Sequence, residues 1–357
     1  MWGWGANRDG QLGLGSLGTV EDGPVAAAPG MVWVAAGAYF ACGYDESAAL
    51  YCWGENDKGQ CGVGEAGAAL PSPQKIGESV GGVTAGRWHA CYFDEPAARG
   101  FCWGDNEDGQ LGTGSTVAAL VPTAIAGERS WEQLSAGYSH TCGIDGAGTA
   151  LLCWGDGAFG ALGLGSEESF SSPQVVSENV PWGAVAAGLW STCALNQAGV
   201  VCFGSNEFGL LGNGSDARYS DVPVLVSGSS GATGVDTWEG TACMLGAAAD
   251  VKCWGRGDSG QMGDGFTRAV NLLPVGVVGG IHAWSSVSVG GPHVCGAAQS
   301  DGQVYCWGSN ADGQLGIGTP DPEQSWVPVG VQVQVQTAVA ARQENTFAYG
   351  VFTDEQS

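Results

Sequence analysis

Residues 103–114 read Trp-Gly-Asp-Asn-Glu-Asp-Gly-Gln-Leu-Gly-Thr-Gly, and the frame of this stretch, Trp-Gly-x4-Gly-x2-Gly-x-Gly, decides the fold by recurring. Copies open at Trp4, Trp53, Trp103, Trp154, Phe203, Trp254 and Trp307, spaced 49, 50, 51, 49, 51 and 53 residues. Self-similarity at a fixed period of this length marks a repeat architecture. Four glycines in each of seven copies account for 28 of the chain's 64.

Outward from the frame, the later copies are preceded by an element that looks like x-Ala-Gly-x4-Cys, with Thr237-Trp238 and Val289-Gly290 in place of Ala-Gly in two of them. Then come a polar turn and a second cysteine just before the frame's aromatic residue. Short β-type runs such as Val32-Trp33-Val34 and Val200-Val201-Cys202-Phe203 lie between turn signals, and no helical period appears. About four short strands per repeat mean a propeller blade or a solenoid coil. The chain opens on Trp2-Gly3-Trp4-Gly5, the last strand of a unit. It closes on Ala341-Arg342-Gln343-Glu344-Asn345-Thr346-Phe347, earlier strands of a unit that lacks a final one. The two ends therefore complete one blade together. A ring closed this way exposes no free strand edges, whereas a solenoid needs caps. The expectation is one all-β domain over residues 1–357, a seven-bladed β-propeller of four-stranded blades closed by N- and C-terminal strands sharing one blade.

Composition removes other classes. Glycine does not fall at every third position, which excludes collagen. A hydrophobic content of 44% excludes disorder. No run of about 18 apolar residues is present, so no membrane insertion is expected. With 36 Asp+Glu against 11 Lys+Arg, the net charge of −25 repels phosphate backbones, and no nucleic-acid partner is expected.

Twelve of the 13 cysteines pair across short turns: Cys42 with Cys52, Cys91 with Cys102, Cys142 with Cys153, Cys193 with Cys202, Cys243 with Cys253 and Cys295 with Cys306. On a hairpin such residues can sit opposite one another, close enough for a disulfide. The Cys-x2-4-Cys knuckles of zinc sites are absent, which leaves disulfides or free buried thiols. Six blades thus carry a staple. In the seventh, Phe347 takes the first cysteine position and Gly3 the second, a ring facing a glycine. Disulfides point to an oxidising compartment. No leader is visible, so the chain is read as mature, or with Met1 replacing one. Cys61 stands where other copies carry Leu or Met and reads as a buried apolar residue.

The motif Trp-Gly-x-Asn-x-x-Gly-Gln-Leu-Gly-x-Gly, preceded by Ala-Gly-x-x-His-Thr-Cys, resembles the regulator-of-chromosome-condensation repeat. The resemblance spans essentially the whole chain and implies a seven-bladed β-propeller. The cysteine pairing is similar to a secreted or bacterial variety. Such propellers host many activities, so the fold does not fix the function. The founding member's role as a nuclear exchange factor suits this acidic, cysteine-paired chain poorly. A light sensor of this family uses Gly-Trp-Arg-His-Thr motifs. The matching segments here, Gly86–Ala90, Gly137–Thr141 and Gly188–Thr192, lack them. A secreted inhibitor that uses the propeller as a protein-binding face fits best.

Six tryptophans belong to the frame. Trp33, Trp131, Trp182 and Trp284 recur ahead of the repeat's glycine as strand residues, leaving Trp2, Trp88, Trp190, Trp238 and Trp326. Aligning the loop before each first hairpin cysteine places one variable ring on one face near the axis. Half of it carries Tyr39, Phe40, Arg87, Trp88, Tyr138, Leu189 and Trp190; the other half, with Glu239-Gly240-Thr241 and Gly291-Pro292-His293, is small or acidic. Aromatics with arginine anchor protein interfaces and also stack on sugars. These residues are the expected binding site for a protein or a glycan. The competing reading has some of them plugging the propeller channel. His89, His140 and His293 share one repeat position and read as structural rather than metal-binding. Asp105-Asn106-Glu107-Asp108-Gly109 resembles a calcium loop but lacks the register and distal Glu of an EF-hand, and is read as a solvated turn. Asn213-Gly214-Ser215 matches a glycosylation sequon inside the frame.

No catalytic constellation, Walker loop or Gly-x-Ser-x-Gly elbow emerges. The expectation is a non-enzymatic extracellular binding scaffold, secreted or at the cell surface, with no metal and no cofactor. The alternatives are a self-assembling structural subunit of an extracellular surface or filament, and an exchange-factor-like or light-sensing role by family analogy. An enzyme would need a deep polar pocket.

Overall fold

A computed structural model of the chain describes residues 1–281, 283–334, 338–343 and 345–349; Glu344 and the side chain of Asn345, in the last loop of the ring, lie outside them. The described strands form seven four-stranded antiparallel sheets. Their innermost strands are Met31–Ala36, Val80–Ala85, Trp131–Ala136, Trp182–Ala187, Gly234–Trp238, Trp284–Val289 and Ala338–Arg342. Successive inner strands touch, and the last meets the first, so the ring is closed. We number the blades from the one that begins at Met31. The seventh joins Ala338–Arg342 and Asn345–Tyr349 to Trp2–Gly5 and Glu21–Ala26, as the terminal sequences imply.

The frame explains why glycine is so abundant. All 28 frame glycines adopt positive φ, from +59° to +104°, a region that side chains with a Cβ avoid. At Gly104 there is also no room, because an added Cβ would lie 2.3 Å from the Trp88 carbonyl oxygen. The frame tryptophan stitches neighbouring blades. Trp154 Nε1 donates to the Gln110 carbonyl at 2.9 Å, and Trp4, Trp53, Trp103, Trp254 and Trp307 repeat the bond at 2.8–2.9 Å. Phe203 cannot donate, and there the Ala161 carbonyl accepts from Thr192 Oγ1, a bond that Thr141 also makes to the Gln110 carbonyl beside that of the indole. Frame asparagine and glutamine close the loop on itself: Asn106 Oδ1 accepts from Leu111 N, and Gln110 Oε1 from Asp108 N. These loops are therefore built structures, not loose solvated turns.

Side chains from two adjacent blades fill each interface. Leu162, Trp182, Val185 and Phe203 pack with Ile144 and Leu151 between blades three and four. Burying each such side chain contributes roughly 1.5–3 kcal/mol.

The twelve paired cysteines sit in direct register on the two central strands of six blades. Cys42 faces Cys52, Cys91 faces Cys102 and Cys142 faces Cys153. Cys193 faces Cys202, Cys243 faces Cys253 and Cys295 faces Cys306. Their Cα atoms are 4.0–4.1 Å apart, and all six pairs are disulfides, which settles the choice against free thiols. Phe347 lies opposite Gly3 and is fully buried, its ring edge-on to Trp53. Cys61 is the free cysteine and is buried; burial pushes its thiol up to about 12.

One strand position departs from the sequence reading. Trp131, Trp182 and Trp284 begin their inner strands and are buried, whereas the first blade has Met31 in that register. Trp33 comes two residues later, past a bulge that the blades of Trp131, Trp182 and Trp284 share, and so stands in the register of Gln133. Like Gln133 it lines the channel, where it remains 36% exposed. The channel, about 350 Å3, is lined by inner-strand residues including Thr84, Gln133, Ser135, Asp236 and Ser288.

Candidate binding face

In each blade the first turn, between inner and second strands, and the frame loop after the third strand emerge on the same face. Backbone bonds tie them together: Glu55 N donates to Tyr39 O, Asp105 N to Trp88 O, Asp156 N to Ser139 O and Ser205 N to Trp190 O, at 2.7–2.9 Å. The first turns are also laced to one another. Ala38 N donates to Gly86 O, Arg87 N to Gly137 O and Tyr138 N to Gly188 O, at 3.0–3.2 Å. This approach requires glycine, since a Cβ on Gly86 would fall 2.2 Å from Gly137 O. The sequence thus fixes the backbone of blades one to four and leaves the next residues in each turn to vary.

Those residues form a continuous row. The Arg87 guanidinium carbon lies 4.2 Å from the Trp88 ring centroid and 4.5 Å from that of Tyr138. Trp88 meets Tyr138 edge-on at 5.5 Å, and Tyr138 approaches Trp190 at 6.2 Å. Phe159, from the neighbouring frame loop, extends the row beyond Trp190 at 5.7 Å. Lys58 Nζ stands 5.9 Å from the Trp88 centroid at the other end. Leu189 and Trp190 border a small cavity of about 20 Å3 with Phe208 and Gly240. Arg87, Trp88, Tyr138, Leu189 and Trp190 are half-buried, as is Tyr39. None of the seven expected binding residues is among those that line the central channel.

Phe40 is a correction. It is 0% exposed and offers no surface to a partner. It pairs with Gly54 as His89 pairs with Gly104, so it occupies the interior position that histidine fills elsewhere. The histidines there are structural. His89, His140 and His293 each place Nε2 within 2.8–2.9 Å of the hydroxyl of Thr141, Thr192 or Thr346 in the next blade. Burial holds their pKa values down to about 3, 4 and 3, and they stay neutral.

Carboxylates back the row. Burial first, then Asp57 and Asp9, raises Glu55 to about 7, against the opposing charge of Arg87. Asp105 is buried, and its pKa rises for the same leading reason although Lys58 Nζ lies 3.8 Å away. Phe159, Glu55 and Lys58 were not expected as site residues. The signal was available, because frame loops and first turns share a face in any four-stranded blade.

The opposite half of the ring is closed by its own side chains. Trp238 and Arg342 stand where the other five blades have glycine. The Arg342 guanidinium lies 4.8 Å from the Trp238 ring centroid and 3.6 Å from Asp236. Gln343 Nε2 donates to Glu239 Oε1, and both residues hold positive φ, +40° and +44°.

A family model described as "Regulator of chromosome condensation (RCC1) repeat" matches residues 1–44, 99–144, 150–195 and 301–343. A second model of the same repeat matches 34–60 and 284–314. Among solved structures, the chain is similar to human WBSCR16, with a TM-score of 0.83 at 20% identity over 97% of this chain and 99% of that one. It is similar also to Prp20p from Saccharomyces cerevisiae, with a TM-score of 0.84 at 20% identity over 99% of this chain and 92% of that one. The ectodomain of the Arabidopsis thaliana receptor kinase ACR4 follows at 0.53, with 18% identity over 90% and 92%. At these identities the likeness is one of fold.

Proposed function

Because the chain belongs to the regulator of chromosome condensation repeat family, we propose that it is a rigid, non-catalytic scaffold that binds a protein partner on the row from Trp88 to Phe159. The carrying observation is the continuity of that row: four rings and one guanidinium in successive contact, on backbone laced across blades. Pre-ordered aromatics lose little freedom on binding, which is why they dominate interface energetics. A yeast propeller of this shape, Prp20p, has binding properties toward Gsp1p and histones and is bound by Kap60. Six cross-strand disulfides support placing the protein in an oxidising compartment, at the cell surface or outside it. An exchange-factor role would use the same kind of protein contact, and the identity of the partner separates the two.

The test compares the unsubstituted chain with a Trp88→Ala/Trp190→Ala variant of equal melting temperature, in affinity capture from the native milieu followed by mass spectrometry. The proposal expects a protein held by the first and lost by the second. Identical captured sets overturn it.

A further inference from the structure

The row accepts cations already. Arg87 lies against two of its rings, and Lys58 reaches a third contact at Trp88. Around these two cations the face is acidic. Glu55, Asp105 and Asp156 are pinned beside the ring-bearing turns by the backbone bonds to Tyr39, Trp88 and Ser139. Lys58 is shared between Asp105 and Glu107, at 3.8 and 3.1 Å. Glu55 and Asp57 accept from the single amide of Gln60, at 3.1 and 3.3 Å. Burial is the main cause that raises Glu55, Asp105 and Asp108, and the carboxylates then burden one another: Asp57 and Asp9 add to the rise of Glu55, Glu107 and Asp108 to that of Asp105, and Asp156 to that of Asp108. A visiting cation relieves that repulsion, and the rings give its stem or guanidinium plane an apolar surface. The net charge of −25 adds long-range attraction for a positive partner.

Resting on the protein-partner reading above, we propose that the bound segment is basic: an extended stretch rich in arginine or lysine, laid along Trp88, Tyr138 and Trp190 with its charges directed at Glu55, Asp105 and Asp156. An acidic segment or a nucleic acid meets the same carboxylates as repulsion. A neutral sugar leaves them unrelieved.

The experiment uses the full chain and three fluorescent probes: an alternating Arg-Gly dodecapeptide, its Glu-Gly counterpart, and a neutral tetrasaccharide of glucose. Anisotropy is read at two salt concentrations. The arginine probe binds and weakens with salt, while the other two do not bind. Trp88→Ala/Trp190→Ala and, separately, Glu55→Gln/Asp105→Asn each weaken the arginine probe about tenfold; the second pair is near-isosteric and leaves the rings in place. Equal binding of the arginine probe by all three proteins makes the attraction a property of net charge and overturns the inference. Preference for the Glu-Gly probe or the sugar overturns it too. If a captured partner depends on Trp88 and Trp190 but is not displaced by the arginine probe, the face stands and its basic specificity fails. Capture indifferent to both tryptophans removes the face itself.

Discussion

His140 in the third blade and Thr192 in the fourth share a hydrogen bond of 2.9 Å, and Thr192 passes it on to the Ala161 carbonyl of a frame loop. The same relay joins His89 to Thr141 and His293 to Thr346. Histidine stands at this position only where the following blade offers threonine. The other described junctions set Phe40 against Ala90, Ser191 against Ala242 and Thr241 against Val294. The pair is a unit, which is why a ring of histidines here is not a metal site in waiting.

Acid should weaken the fold through these imidazoles. Unfolded, they take a proton near pH 6.5, while burial keeps the folded ones neutral to about 3, 4 and 3. The unfolded state therefore binds more protons, and their contribution, complete above pH 6.5, is lost as pH falls toward those values. Glu55, raised to about 7 in the fold, runs the other way between pH 7 and 4.5. The difference between variants isolates the histidine effect. Denaturant unfolding of His140→Gln should show a shallower pH dependence below pH 6, by about 1.4 kcal/mol per pH unit. An unchanged slope contradicts the assignment.

Thiol counting tests the staples. Unfolded without reductant, the chain should titrate as one thiol, that of Cys61, and after reduction as 13. Replacing Cys142 and Cys153 together with alanine should lower stability by roughly 2–3 kcal/mol, as expected for a small closed loop.

Frame substitutions should sort by geometry. Trp154→Phe loses the bond to the Gln110 carbonyl but keeps a ring that the fourth blade already uses at Phe203, and should cost about 1 kcal/mol. Gly104→Ala places a Cβ against the Trp88 carbonyl at positive φ. It should destabilise by more than about 2 kcal/mol and displace the turn that carries Trp88. Chemical denaturation and indole fluorescence read the two effects.

Ring closure is non-covalent and depends on packing. Phe347→Ala empties a fully buried site against Gly3, Ala27 and Trp53, and should cost about 3–5 kcal/mol. Hydrogen exchange should then open strands Trp2–Gly5 and Asn345–Tyr349 before any stapled blade. Uniform protection loss would show that closure is not the weak point.

The fold was legible because turn geometry is written in residue identity. Positive φ calls for glycine, an opposed strand pair can carry two cysteines, and Phe347 facing Gly3 followed from register alone. The site was half legible. Alignment located the variable turns and puts Phe40 in the column of His89 and Trp33 in that of Gln133, two residues past the register of Trp131, yet a column does not say whether its side chain meets a partner, the channel or the next blade. Exposure at those positions depends on a neighbouring blade, which periodicity within one repeat does not encode. Trp238 and Arg342 were visible as departures from a repeated glycine, but their contact spans an intervening blade.

The central claim, that a protein partner lies on the Trp88–Trp190 row, is tested most directly by site-specific photo-crosslinking. A benzophenone side chain replaces Tyr138 in one preparation and Ser47, in a second-to-third-strand turn on the opposite face, in another. The account predicts a crosslinked partner from position 138 and none from position 47. Crosslinks from position 47 alone would contradict it.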